Sequence, residues 1–207
     1  KDGKMGELQK VSFGTKVAEL VGDADVKAIA IGTKLYDASA MDLVIEADTQ
    51  IGNGVITVYS SKCCMIHETE EVLLAERKQS CGKCTFCREG LIQLHTMVKE
   101  ITEGQGKKEF TDMMEEIGEA MTFSTPCTMG QTASDFAMGS LKYFAGEYED
   151  HIKKKKCANN VCSAFMSIYI DPDLCEGCEE CADVCPADAI EGKSGYIHMI
   201  DEFECTK

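Results

Sequence analysis

No stretch of this chain approaches the roughly 20 consecutive apolar residues that crossing a bilayer requires, and no apolar leader segment opens it. The sequence therefore predicts a soluble chain with no membrane span. Positive charge is scarce: 21 Lys and Arg stand against 36 Asp and Glu, for a net charge of −15. A surface of that sign repels phosphate backbones and excludes nucleic acid as a partner. No glycine-rich phosphate loop follows a strand. Nor does any serine or cysteine stand in a motif that pairs it with a catalytic histidine. Cysteine, by contrast, is abundant, with 13 among 207 residues. The cysteines fall in C-x-x-C groups separated by long cysteine-poor stretches, a pattern of bound metal rather than of a disulfide scaffold. Thiolates must stay reduced to ligate iron or zinc, which predicts the cytoplasm or an organelle matrix.

The length admits several small modules, and the expected class is α+β multidomain. Residues 1–62 read as strands at 26–32 and 55–59 with a short helix before them, capped by Thr15 and stopped by Gly22. Gly52-Asn53-Gly54 is the expected turn into the last strand. Residues 63–150 read as helical: an amphipathic helix over 67–78, then helical apolar spacing over 91–101, 107–121 and 134–148, which predicts a four-helix arrangement. Residues 151–164 are a linker, where the basic run at 153–156 reads as a solvated helix end that complements the dipole. Residues 165–207 are cysteine-dense and poor in helix signals. The chain starts at Lys1 and ends two residues beyond Cys205, so it is expected to continue at both ends.

Cys81-Gly82-Lys83-Cys84-Thr85-Phe86-Cys87 places three thiols on one short loop, with Gly82 free to turn tightly. A fourth corner must come from elsewhere, and Cys127, after Pro126, is the one cysteine between this triplet and Cys157. Soft sulfur donors at this spacing select an iron-sulfur cluster or zinc over hard cations. The run Ser80-Cys81-Gly82-Lys83-Cys84-Thr85-Phe86-Cys87-Arg88-Glu89-Gly90, with Thr125-Pro126-Cys127-Thr128-Met129-Gly130 downstream, resembles the cluster domain of the flavoprotein subunit of respiratory complex I and its hydrogenase relatives. That resemblance implies that Cys81, Cys84, Cys87 and Cys127 ligate a 4Fe-4S cluster. Phe86 stands where the family usually has proline. The preceding 60 or so residues, including Gly54-Val55-Ile56-Thr57-Val58, resemble the β-grasp-like (SLBB-type) module of the same family. The FMN and NADH sites of that family are expected on a separate N-terminal domain.

Cys175-Glu176-Gly177-Cys178-Glu179-Glu180-Cys181-Ala182-Asp183-Val184-Cys185-Pro186 is the full bacterial ferredoxin run C-x2-C-x2-C-x3-C-P. The following residues resemble the half-repeat of a two-cluster ferredoxin, with Cys205 opening a second run. In such repeats the fourth cysteine of each run ligates the other cluster. Cys175, Cys178 and Cys181 then need a fourth ligand from beyond Lys207, and the set is incomplete within this chain.

His151, Cys157 and Cys162 form a third group, with the mixed imidazole and thiolate donors of a zinc site. Cys64 is available as the fourth ligand, and Cys64-Met65-Ile66 resembles a cysteine-containing segment of hydrogenase-type relatives. Such a zinc would pin the linker against the core; buried or exposed thiols beside a surface histidine are the alternative. Cys63 reads as a free thiol, and His67, His95 and His198 as surface residues. The methionines read as flexible core packing.

The leading expectation is an electron-relay portion of a soluble NAD(P)-linked oxidoreductase subunit. The ferredoxin-like end resembles the β subunit of NAD-linked, often electron-bifurcating, FeFe hydrogenases or formate dehydrogenases. The implied partners are other iron-sulfur and catalytic subunits, and a ferredoxin. A stand-alone ferredoxin-like carrier, a complex I NADH dehydrogenase subunit and a structural zinc module are the alternatives.

Overall fold

The computed structural model describes residue 6 and residues 8–166, 168–201 and 203–206. The chain divides into two compact units, residues 1–165 and 166–207. In the first, helix α1 (Val17–Val21) precedes strands β1 (Ala28–Ile31), β2 (Lys34–Asp37) and β3 (Ile56–Tyr59). Helix α1 starts one residue later than Thr15 capping predicts, with Lys16 at its N-cap and Gly22 at its C-cap. The sheet is antiparallel in the order β2-β1-β3, with Ala28 opposite Asp37 on one side and Tyr59 on the other.

The sequence Ala-Ile-Ala-Ile suits the central strand because β1 is buried on both faces. Ile29 and Ile31 pack with Val17, Ala40 and Ile45. Ala28 and Ala30 face the other way, toward Leu35, Met65 and Phe136. The small side chains on that face admit a helix close against the sheet. Strand β2 escapes the sequence reading because only Leu35 of its four residues is buried, so no apolar alternation marks it.

Six helices follow: α2 (Met65–Gln79), α3 (Thr85–Thr102), α4 (Phe110–Ser124), α5 (Thr128–Thr132), α6 (Asp135–Tyr143) and α7 (Ala145–Ile152). Leu73, Leu91, Leu94, Val98, Met114 and Met121 are among the buried residues of their shared core. The continuous helix expected over 134–148 is broken at Phe144, which is at once the C-cap of α6 and the N-cap of α7. Phe144 packs toward the sheet-side cluster, whereas Tyr148 belongs to the main helical core. One straight helix would have to choose between these two faces.

Two histidines depart from the surface reading. His95 is buried on the apolar face of α3, in line with Leu91 and Val98, with Nδ1 2.8 Å from Arg77 Nη1. His198 is 1% exposed. The basic run behaves as expected: Lys153 pairs with Glu149 at 2.7 Å and Lys154 with Asp150 at 2.6 Å at the end of α7.

The second unit contains helix α8 (Glu180–Asp183) and a hairpin of β4 (Ile190–Glu191) and β5 (Met199–Ile200), with Ile190 opposite Ile200. Among its described residues only Gly177, Ala189 and His198 are buried. So thin an apolar core does not hold a fold unaided, and units of this size lean on bound metal. Among the described residues no helix is long and apolar enough to cross a membrane.

Helix α6 lies close against strand β2 at Gly139. A Cβ there would lie 2.5 Å from the Leu35 carbonyl oxygen and 2.9 Å from Leu35 Cβ. The Thr33 hydroxyl donates to Asp135 Oδ2 at 2.9 Å beside it. Gly139→Ala is expected to cost about 1–3 kcal/mol through overpacking against rigid backbone. The measurement is denaturant unfolding followed by circular dichroism, and an unchanged midpoint would refute the close docking of α6 on β2.

Candidate metal and cluster sites

Helix α2 ends at Ser80, whose extended backbone turns the chain into the first cysteine loop. Gly82 takes φ +68°, in the left-handed region that glycine occupies without strain. Its N–H donates to Ser80 Oγ at 3.2 Å, and its carbonyl accepts from Arg88 Nη1 at 2.9 Å. The loop is thus tied at both ends to the helices it joins. Cys84 is the N-cap of α3, which puts Cys87 in the first turn of that helix, and Cys127 is the N-cap of α5.

Cys87 is buried, Cys84 half-buried, and Cys81 and Cys127 are exposed. Burial pushes the Cys87 thiol pKa up, the Ser80 hydroxyl at 3.3 Å opposes that, and the nearby Cys84 and Cys127 add to the rise. Two distant segments are therefore folded onto one thiol neighbourhood. A buried thiol that resists ionising, as Cys87 does, is one that a positively charged iron core would hold as a thiolate. The N-terminal end of α3 adds favourable partial charge for an anionic group.

Cys64, His151, Cys157 and Cys162 are all buried, and their ligand atoms lie within 4.8 Å of one another. Metal–sulfur bonds of about 2.3 Å and metal–nitrogen bonds of about 2.05 Å in a tetrahedron give ligand separations of roughly 3.8 Å for sulfur–sulfur and roughly 3.6 Å for sulfur–nitrogen. Cys64 Sγ lies 3.8 Å from Cys162 Sγ, and His151 Nε2 lies 3.4 and 3.5 Å from these two sulfurs. The side-chain set alone thus has the dimensions of a closed four-coordinate site. His151 Nδ1 is 2.8 Å from the Glu147 carbonyl, which fixes the proton on Nδ1 and leaves Nε2 as the ligand atom.

Cys64, His151 and Cys162 shift one another's proton affinity. A hydrogen bond from Cys162, with a second from His151, holds the Cys64 thiol well below its ordinary range, and the same shared bond pushes Cys162 up. Burial opposes charging His151, but its hydrogen bond to Cys64 and the thiolate charge prevail and raise its pKa to about 9.

A second layer of contacts holds this group, and the sequence reading missed it. Glu147, one turn before His151, accepts the Met65 N–H at 2.9 Å through Oε2 and pairs with Lys27 at 2.6 Å through Oε1. Lys27 Nζ also donates to the Cys63 carbonyl at 2.6 Å and to Asn159 Oδ1 at 3.2 Å. Asn159 Nδ2 closes the ring by donating to the Ser61 carbonyl at 2.6 Å. Glu147 is legible at i−4 from His151; Lys27, 132 residues from Asn159, carries no local signal. Cys63, beside this group, is half-buried with Sγ 3.9 Å from Ser60 Oγ.

In the second unit, Cys181 lies in α8, Cys178 is exposed and Cys175 is half-buried. The nearby backbone N–H groups of His198 and Gly177, with the His198 ring at 4.0 Å, lower the Cys175 pKa. Cys185 Sγ accepts the Ala189 N–H at 3.4 Å, and the Cys205 N–H donates to the Asp201 carbonyl at 3.0 Å. Gly177 has φ +69°, and a Cβ on it would lie 2.8 Å from backbone atoms of Tyr196, so the cysteine loop rests directly on the segment leading into β5.

Residues 68–151 match the NADH-ubiquinone oxidoreductase-F iron-sulfur binding region, and residues 168–191 match the 4Fe-4S binding domain. The NADP-reducing hydrogenase subunit HndC of Solidesulfovibrio fructosivorans is 34% identical over 148 residues, covering 72% of this chain and 30% of that protein. The mitochondrial NADH-ubiquinone oxidoreductase 51 kDa subunit of Neurospora crassa is 28% identical over 122 residues, covering 58% of this chain and 25% of that protein. The chain thus spans less than a third of the length of these relatives. The crystal structure of an NAD+-reducing NiFe-hydrogenase in its H2-reduced state shares the fold over 68% of this chain and 26% of its own, with a TM-score of 0.64 and 18% identity. This chain is thus similar to the NADH-ubiquinone oxidoreductase-F iron-sulfur binding region over residues 68–151 and to a 4Fe-4S binding domain over residues 168–191.

Proposed function

We propose that this chain is the iron-sulfur relay portion of a flavin-linked, NAD(P)-dependent oxidoreductase subunit, working in the cytoplasm or an organelle matrix within a hydrogenase- or formate dehydrogenase-type complex. The carrying observation is the meeting of Cys84, Cys87 and Cys127 at helix N-termini inside the matched iron-sulfur region. Similarity to the hydrogenase protein over 148 residues, against 122 for the ubiquinone-linked one, supports the hydrogenase-type branch. In this reading Cys81, Cys84, Cys87 and Cys127 hold one 4Fe-4S cluster in a β-grasp-like and helical framework. Cys175, Cys178 and Cys181, with Cys185 and Cys205, serve ferredoxin-type cluster chemistry, and the fourth ligand is completed outside these residues. The FMN and nicotinamide sites lie on another part of the subunit, and the electron partners are further iron-sulfur and catalytic subunits.

A 4Fe-4S cluster, when bound, supplies one-electron oxidation and reduction at a potential set by charge, solvent exposure and hydrogen bonds to sulfur. The chain contributes position and environment rather than acid-base chemistry. Ser80 and Arg88 hold the cysteine loop closed, Cys87 forms the buried floor, and the exposed Cys81 and Cys127 put one edge within reach of a docked partner.

The buried set of Cys64, His151, Cys157 and Cys162 is assigned to zinc. Its four protein donors leave no open position, which is the mark of a structural rather than a catalytic ion. Its role is to fasten residues 157–162 to the N-terminus of α2.

Metal analysis of the full-length protein checks both assignments. Cys127→Ser is expected to remove about four iron and four sulfide per chain and leave zinc unchanged, whereas Cys157→Ser removes about one zinc and leaves iron and sulfide. Zinc without acid-labile sulfide in the wild-type protein would overturn the relay reading.

Cys127 is positioned by Thr125, whose hydroxyl donates to the Met121 carbonyl at 2.7 Å and whose carbonyl accepts from Gln131 Nε2 at 3.0 Å. A Cβ on Gly130 would lie 2.9 Å from Thr125 Cβ, a stiff β-branched neighbour with no room to yield. Gly130→Ala is expected to strain this turn by about 1–3 kcal/mol, seen as faster iron loss to a chelator with unchanged helix content by circular dichroism. Wild-type iron release would refute the role of this turn in placing Cys127.

A further inference from the structure

In the second unit a polar ring occupies one of the few buried positions. His198 is 1% exposed, and its Nε2 is a buried side-chain atom without a hydrogen-bond partner among the described residues. A leucine or phenylalanine would fill the same space without burying an unpaired nitrogen. What offsets that burial lies at the other nitrogen: Nδ1 is 4.0 Å from Cys175 Sγ, the edge of hydrogen-bond range for sulfur. A ring lone pair would repel a thiolate, so the proton belongs on Nδ1 and the ring donates.

The hairpin holds the ring there by backbone alone. With Ile190 opposite Ile200 and Glu191 opposite Met199, the next rung sets Gly192 across from His198. A Cβ on Gly192 would overlap the imidazole at Cδ2, Cγ and Nε2. On its other side, the Gly195 N–H donates to the Gly177 carbonyl at 3.0 Å and closes the cysteine loop against the same segment. The ring thus approaches a sulfur whose thiolate form the backbone N–H groups of Gly177 and His198 also favour.

We propose that His198 is a positioning residue for the ferredoxin-type cluster, donating from Nδ1 to the Cys175 thiolate and thereby raising that cluster's reduction potential. The inference rests on the reading above that Cys175 is a cluster ligand. Reduction adds negative charge that spreads onto the sulfurs, and a donor at sulfur stabilises the reduced form more than the oxidised form. Residues that hold the sulfur in place without donating to it leave the potential unmoved.

The test is an EPR-monitored potentiometric titration of the full-length protein, with the C-terminal signal assigned as the one that Cys178→Ser abolishes. His198→Leu is expected to disfavour reduction of that cluster about tenfold, which is about 59 mV more negative for a one-electron couple, while the cluster of Cys81, Cys84, Cys87 and Cys127 keeps its potential. His198→Asn, whose amide N–H falls near the position of Nδ1, recovers most of the shift. Gly192→Ala keeps the imidazole but displaces it, and shifts the potential in the same direction as His198→Leu. Iron and sulfide contents are measured on every variant. Equal potentials for wild type and His198→Leu at equal cluster content overturn the proposal and leave the cluster assignment standing. Equal shifts in the Leu and Asn variants overturn it too, because packing would then be the cause. If Cys178→Ser removes no iron or signal, the cluster reading itself fails, and the proposal with it.

Discussion

Four donor atoms from three separate stretches of chain meet in the core of the first unit, and that meeting constrains the rest of it. Cys64 must stand at the start of α2, His151 must turn inward near the end of α7, and residues 157–162 must double back across a separation of 98 residues to reach Cys64. The break at Phe144 makes the second condition compatible with the sheet-side packing of α6. Lys27, Glu147 and Asn159 enforce the third from outside the donor set, and all of the ammonium's hydrogens are committed to it. The zinc proposed for this site acts as a cross-link. Closing a loop of that length constrains the unfolded chain by on the order of 4–5 kcal/mol if it behaves as a disulfide does.

A related rule governs the proposed iron site. Cys64, Cys84 and Cys127 are each the residue from which a helix starts, so three thiols of two different sites use the same local device. The N-cap position suits a ligand because its side chain points out of the helix while the free N–H groups behind it favour negative charge. None of the three makes a side-chain capping bond to its own helix. The sulfurs stay available to a metal, and the stability that a serine or aspartate cap would add is forgone at all three positions.

The grouping of the cysteines was legible in the sequence because it is written in spacing, whereas the contacts that support the groups were not. The C-x-x-C runs, the His-x5-Cys-x4-Cys group and the availability of Cys64 need only residue type and separation. The buried strand β1 was legible as a short apolar run, and the amphipathic helices from their period. Strand β2 was not, because Leu35 and the glycine of a distant helix hold it in place rather than any pattern of its own. His95 could have been read correctly from its place between Leu91 and Val98. His198 could not, since a two-residue strand offers no period to read.

The two units differ in what a metal contributes to them. The first has a helical core of aliphatic and methionine side chains that does not depend on the iron ligands: of the four proposed cluster cysteines, only Cys87 is buried in it. The cluster proposed for it would sit at a surface edge without being the keystone of the fold. The second buries little beyond Gly177, Ala189 and His198, and its hairpin strands are two residues each. A hairpin that short is marginal in water on its own, so cluster binding and folding there are one equilibrium. His198 lies where the two coincide, inside the small core and against Cys175. Whatever sets the geometry of that ring sets both the order of the hairpin and the environment of the sulfur.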